Sequence, residues 1–324
     1  MVDPSRSGPH APATLRDPLR AACPATCPRL PVDEKIGLRH RFVEANGLRF
    51  HLVEAGQGPL VLLLHGFLDF WYGWRDQIPA LAARFRVVVP DLRGYNLSDK
   101  PASGYDPDTL ASDLAALIRA LGGERAHVVG HSWGGIVAWD TAILHPEVVD
   151  RLAVVNAPHP AAYQREWDRN LVQRLHSWYM LLFQVPRLPE WLLTRQHAHG
   201  LIGMLRRTTP VPGIFTPADL AAYRRAMLRP GAAQATLAYY RTVWKLSSAE
   251  IRARPTQVGA PTMLIWGMRD VALVSALADD LGQWVPDLHV ERFAEAGHWV
   301  HLEQPERVNR LLLRHVGQYV GGVG

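Results

Sequence analysis

The chain has 324 residues, 48% of them hydrophobic and 20% charged, and carries a formal net charge of +5. It is long enough to bury the core of one large α/β domain or two small ones, with the composition of an ordinary globular protein. Its cations are nearly all arginine, lysine occurring at Lys35, Lys100 and Lys245, and they are dispersed rather than clustered, which argues against a nucleic-acid partner.

Residues 1–37 are rich in Pro, Ala and Arg but lack the apolar stretch of a secretory signal, and read as a disordered leader. Both cysteines, Cys23 and Cys27, fall there, without neighbours for a metal site and without the spacing of a disulfide framework. That usage fits a reduced, cytoplasmic protein. No apolar run approaches the length of a membrane span.

From Arg39 the pattern becomes that of a folded domain. Phe42–Glu44 and Leu48–Val53 read as strands joined by Asn46-Gly47, a type I′ hairpin signal. Leu60–Leu64 is a continuous apolar run that suits a strand buried on both faces. Helical spacing follows over Trp74–Arg84, then a buried strand at Val87–Val89, then a helix opened by Asp106-Pro107 and closed by Gly122. Strands follow at His127–Val129 and Leu152–Val155. This alternation predicts an α/β fold with a mostly parallel, doubly wound sheet and its chemistry at the carboxyl ends of the strands. The alternation stops from about residue 161 to 248, a helical stretch rich in Trp, Tyr and Arg that reads as a cap or lid inserted into the core at 38–160 and 249–324. Thr216-Pro217 opens one of its helices. Strands resume at Met263–Trp266 and Val290–Phe293, and a final helix carries Val308, Leu311, Leu312 and Val316.

The stretch Gly130-His131-Ser132-Trp133-Gly134-Gly135 places a serine between glycines, after an apolar strand and before a helix. This is the nucleophile-elbow pattern, in which a sharp strand-to-helix turn exposes the serine hydroxyl at the edge of a sheet. A side chain at Gly130 or Gly134 would collide with neighbouring elements. A serine hydroxyl is a weak nucleophile and needs a base and an orienting acid. Asp270 follows the strand Met263–Trp266, and His298 follows the last strand, so both sit at carboxyl ends. The order Ser132, Asp270, His298 is that of α/β-hydrolase triads. His301 is a competing histidine and reads as a surface residue at a helix start; Asp69, Asp91 and Asp280 compete with Asp270 without ending the strand after the cap. The oxyanion hole is expected from the backbone N–H groups of Trp133 and Phe67, the latter in the loop His65-Gly66-Phe67. No metal or organic cofactor is implied; His197-Ala198-His199 is an isolated pair without the third ligand that zinc needs.

At Trp71-Tyr72-Gly73-Trp74-Arg75, Asp91-Leu92-Arg93-Gly94-Tyr95, Ser98-Asp99-Lys100-Pro101 and Asn156-Ala157-Pro158-His159-Pro160, together with His65-Gly66-Phe67, the chain resembles the epoxide-hydrolase branch of the α/β hydrolases. The resemblance spans about residues 39–320. It implies that Tyr179 and Tyr240 match the two tyrosines that grip and protonate an epoxide oxygen in that family, with Trp71 as a further substrate contact. The chain departs from the family at two points. The family carries aspartate at the nucleophile position, where this chain has Ser132, and usually proline after His-Gly-Phe, where it has Leu68. An aspartate opening an epoxide gives an ester that activated water can cleave. A serine would give an ether, which a triad cannot hydrolyse, so acyl transfer is the chemistry that completes a cycle. The expected activity is therefore hydrolysis of small apolar carboxylic esters or lactones, with water as co-substrate. An epoxide-hydrolase-related protein, or a non-catalytic binder of hydrophobic ligands, is the alternative.

Overall fold

The computed structural model describes residues 37–318. Apart from Gly37, the expected leader lies outside the described residues, and Cys23 and Cys27 with it. Strands β1 (Arg39–Ala45) and β2 (Leu48–Ala55) form the expected hairpin. Asn46 and Gly47 take φ of 46° and 72°, the two left-handed conformations a type I′ turn requires.

Strands β3 (Leu60–Leu64), β4 (Arg86–Pro90), β5 (Ala126–His131), β6 (Val149–Val155), β7 (Thr262–Gly267) and β8 (Leu288–Phe293) complete one sheet. Its order is β1-β2-β4-β3-β5-β6-β7-β8, with β2 antiparallel to both neighbours and β4 to β8 running parallel. The inner strands are continuous apolar runs because helices cover both faces, and Val61–Leu64, Val87–Val89 and Leu152–Val155 are wholly buried. Each such side chain contributes roughly 1.5–3 kcal/mol by leaving water.

The helices over the sheet include α1 (Ile78–Ala82), α2 (Pro107–Ala120) and α3 (Trp133–Leu144). Asp106 caps α2 by accepting from the Thr109 N–H at 2.9 Å, and Pro107 takes its first position. The helix expected over Trp74–Arg84 is instead a 3-10 turn at Trp71–Trp74 followed by the short α1. Pro79 in the first turn of α1 has no N–H to give and so blocks extension upstream.

Seven helices lie between β6 and β7: α4 (Pro160–Arg169), α5 (Leu171–His176), α6 (Tyr179–Gln184), α7 (Leu188–Arg207), α8 (Pro217–Met227), α9 (Ala232–Trp244) and α10 (Ser248–Ala253). Thr216 and Asp219 close a reciprocal capping box on α8. Inside α7 the helical geometry breaks at Arg195–Ala198, where Gln196, His197 and Ala198 all have positive φ. Arg241 of α9 donates to the carbonyls of Phe183 and Val185 and pairs with Glu190 at 2.6 Å, tying the α6–α7 corner to α9. After β8 come α11 (Val300–Glu303) and α12 (Pro305–Val316), the latter burying Val308, Leu311, Leu312 and Val316.

Candidate active site

Ser132 joins β5 to α3 with φ 53° and ψ −124°, a conformation that side chains rarely adopt. The turn is this sharp because its surroundings admit nothing larger than glycine. A Cβ on Gly130 would strike the backbone of Gly134, and one on Gly134 would strike the carbonyls of Leu64 and His65. On Gly66 it would strike the Ser132 side chain itself, so the loop after β3 lies directly against the serine. The Trp133 N–H, as the first in α3, has no acceptor within its own helix. In the β3 loop Leu68 has φ 64°, a left-handed leucine where the related family usually has proline.

Asp270 and His298 reach the site through a second close approach. Gly267 at the end of β7 lies so near Gly297 that a Cβ there would overlap the Gly297 carbonyl. His298 Nδ1 and Asp270 Oδ2 are 2.7 Å apart. The same oxygen accepts from the Asn156 side chain at 2.7 Å, while Oδ1 accepts from the N–H groups of Ala272 and Leu273. Burial pushes the Asp270 carboxyl upward, but the His298 charge and these hydrogen bonds outweigh it and hold it below the usual carboxylate range. For His298 burial works downward; the neighbouring carboxylate overrides it and raises the imidazole above its ordinary value. An ionised Asp270 fixes the proton on Nδ1 and leaves Nε2 as the acceptor.

The competing residues are placed elsewhere. Asp91 is occupied by His51, Trp71 and Asn96, and Asp280 is exposed. Asp69 is buried, and desolvation lifts its carboxyl to about 7 against the hydrogen bond from Phe70. His301 is not on the surface: it is wholly buried, its ring 4.7 Å from Trp74 and 4.3 Å from His131. The chain after β8 turns inward, carrying Trp299 and Val300 into the interior with it, and burial drives His301 well below its ordinary pKa. Among the described residues Asp69, His131 and His301 form one trio whose donor atoms lie within 4.8 Å of one another, close enough to hold a metal ion. One nitrogen of that trio, Nε2 of His131, already meets the carbonyl of His298 at 2.8 Å. His197 and His199 are exposed at the break in α7.

Ser132, Trp133, Phe67 and His298 line a cavity of about 1010 Å³ whose opposite wall comes from the inserted helices. Tyr179 and Tyr240 both face it, their rings 5.7 Å apart and edge-on, and Tyr240 packs its ring on Trp133 and Phe67. Desolvation and mutual proximity raise Tyr179 well above the usual phenol range, and desolvation raises Tyr240 too, so both remain O–H donors near neutral pH. Trp71 is not part of this wall: its N–H bonds Asp91 and its ring packs on His40, outside the cavity. Asn156 was missed as a support for Asp270. It ends β6 with a left-handed φ of 42°, a conformation asparagine tolerates, and nothing in the local sequence points from it to Asp270.

Residues 59–305 match the family described as the alpha/beta hydrolase fold. The chain is 40% identical over 285 residues to the AB hydrolase superfamily protein YfhM of Bacillus subtilis, covering 86% of this chain and 98% of that one. It is 35% identical over 312 residues to epoxide hydrolase 4 of Homo sapiens, covering 92% and 83%. A Bacillus megaterium epoxide hydrolase solved with an inhibitor superposes with a TM-score of 0.79 at 32% identity, over 86% of this chain and all of that one. With its mostly parallel eight-stranded sheet and these likenesses, the chain belongs to the α/β-hydrolase fold family, on its epoxide-hydrolase-like branch, and is a hydrolase.

Proposed function

We propose that the protein is a serine hydrolase that cleaves small apolar carboxylic esters or lactones through an acyl-enzyme. The observation that carries this reading is the residue at the elbow: a serine hydroxyl sharing a cavity with a histidine whose Nδ1 is held by a buried carboxylate. His298 takes the Ser132 proton as the hydroxyl attacks the carbonyl carbon, and returns it to the departing alcohol. Water, activated by the same imidazole, then hydrolyses the acyl-enzyme and restores the hydroxyl. The Phe67 and Trp133 N–H groups receive the negative charge that develops on the carbonyl oxygen in both steps. Asp270 stays ionised throughout and stabilises the imidazolium. The apolar wall supplied by Phe183, Met180 and Leu192 suits an uncharged substrate.

A second reading rests on the tyrosine pair and on the names of the relatives, which include epoxide hydrolases. It requires a route without a serine ether. His298 deprotonates a water that attacks the oxirane carbon directly, and a tyrosine O–H protonates the departing alkoxide to give the diol.

One experiment separates the two. Wild-type protein and Ser132→Ala are assayed with p-nitrophenyl esters of graded chain length and with a small aryl epoxide, and a fluorophosphonate adduct is located by mass spectrometry. Loss of ester turnover and of the adduct in Ser132→Ala supports acyl transfer. Diol formation that survives the substitution supports direct water attack and overturns the ester reading as the main activity.

A further inference from the structure

We propose that the outer face of α5, α6 and the first turn of α7 docks on an anionic lipid surface. Large apolar side chains are concentrated there in the open: Leu171 is 65% exposed, Leu175 and Trp178 62%, Leu181 59% and Trp191 54%. Eight of the twelve large hydrophobics exposed among the described residues fall within 171–191, so this is a patch rather than the scattered exposure normal for a surface. Leu171 and Leu175 lie one turn apart in α5, as Leu188 and Trp191 do in α7, so each pair shares a face of its helix.

The charge around the patch selects its occupant. Between 171 and 195 the exposed ions are Arg174, Arg187 and Arg195, and the single acid, Glu190, is held by Arg241. Apolar side chains that include two tryptophans, rimmed by arginine, match the boundary between acyl chains and acidic headgroups. A second copy of the chain is a poorer match, since a two-fold interface would set this arginine-rimmed face against an identical one whose single acid is already held by Arg241. No helix among the described residues is long and apolar enough to cross a membrane, so the contact is peripheral. Trp178 is both exposed and part of the cavity wall, and Tyr179, Met180 and Phe183 of the same helices face inward. A docked face therefore sets the cavity against the layer in which apolar molecules accumulate. The proposal stands whatever bond the enzyme cleaves.

The test is flotation of the whole chain with vesicles of phosphatidylcholine alone and of an equimolar phosphatidylcholine–phosphatidylglycerol mixture. Two variants are compared with wild type, Leu171→Ser/Leu175→Ser/Leu181→Ser and Arg174→Gln/Arg187→Gln. None of these side chains lines the cavity, and circular dichroism with thermal melting checks that the fold is kept. Wild type should float with the mixed vesicles and partition at least tenfold less onto phosphatidylcholine. The triple variant should lose binding to both. The arginine variant should lose on the order of tenfold or more on the mixed vesicles, each cation being worth about fivefold. Wild type that floats with neither vesicle overturns the proposal, as does a folded triple variant that binds like wild type. A wild-type dimer in light scattering that the triple variant splits would assign the face to self-association instead.

Discussion

The strand-borne and helix-borne sides of the cavity meet where the Tyr240 ring edges onto Phe67 and Trp133, and they are held in place by different means. On the strand side the acid is specified atom by atom and the serine by close backbone. Asp270 takes bonds from His298, Asn156, Ala272 and Leu273, and Ser132 is wedged against Gly66. On the helix side the contacts are mostly rings and aliphatic chains, with Arg241 as the tie at the α6–α7 corner. Directional bonds fix where a proton or a lone pair sits; apolar packing fixes a volume. Substitutions on the strand side should therefore collapse the rate, and those on the helix side should mainly shift which substrate is taken and how tightly.

The sharpest test is Ser132→Ala, expected to lower ester turnover on the order of 10⁴-fold or more with the fold intact by circular dichroism. Next comes Asp270→Asn, with an expected loss of roughly 10³- to 10⁴-fold in kcat. Its pH profile carries a sign. His298 must be neutral to act, and Asp270 raises it above 6.5, so wild-type kcat/KM should fall as pH drops through a value above 6.5. Without the carboxylate, burial lowers the imidazole against the Glu303 charge only, its smallest raising influence, so the residual activity of Asp270→Asn should persist to lower pH. A limb that does not move would detach Asp270 from His298.

Asn156→Ala removes one hydrogen bond to an ionised carboxylate, worth roughly 1.5–3 kcal/mol, and should cost about 10- to 100-fold in kcat. Smallest on esters is Tyr179→Phe with Tyr240→Phe, which removes two hydroxyls from the helix side and should change kcat/KM by less than about tenfold. The same pair measured on an epoxide breaks the comparison if diol formation is present and vanishes, because a helix-side group would then be taking part in the chemistry.

The parallel core was legible because its strands are unbroken Val and Leu runs separated by helical periodicity, and the elbow because its glycines are demanded by atoms that touch them. What escaped reading had no periodic signal. The four-residue helix Val300–Glu303 is too short to show a face, so a buried histidine at 301 looks like any polar surface residue. The resembling run points to Trp71 as a substrate contact, but in its 3-10 turn the ring packs on His40, outside the cavity. The place of Asp270 at the carboxyl end of a strand is legible in the chain, while Asn156 reaches it from 114 residues away, a contact that no local pattern encodes.

The backbone of Ser132 has a cost that falls on the folded state rather than on the reaction. With φ at 53°, a Cβ-bearing residue stores of order 1–3 kcal/mol that glycine would not. Two inactive variants expose this: Ser132→Gly should melt at a higher temperature than Ser132→Ala, although both lack the hydroxyl and glycine ordinarily weakens a fold. Selection for thermal tolerance alone would thus favour replacing the serine. Under the proposed acyl transfer, the serine there exchanges heat resistance for a hydroxyl at the elbow.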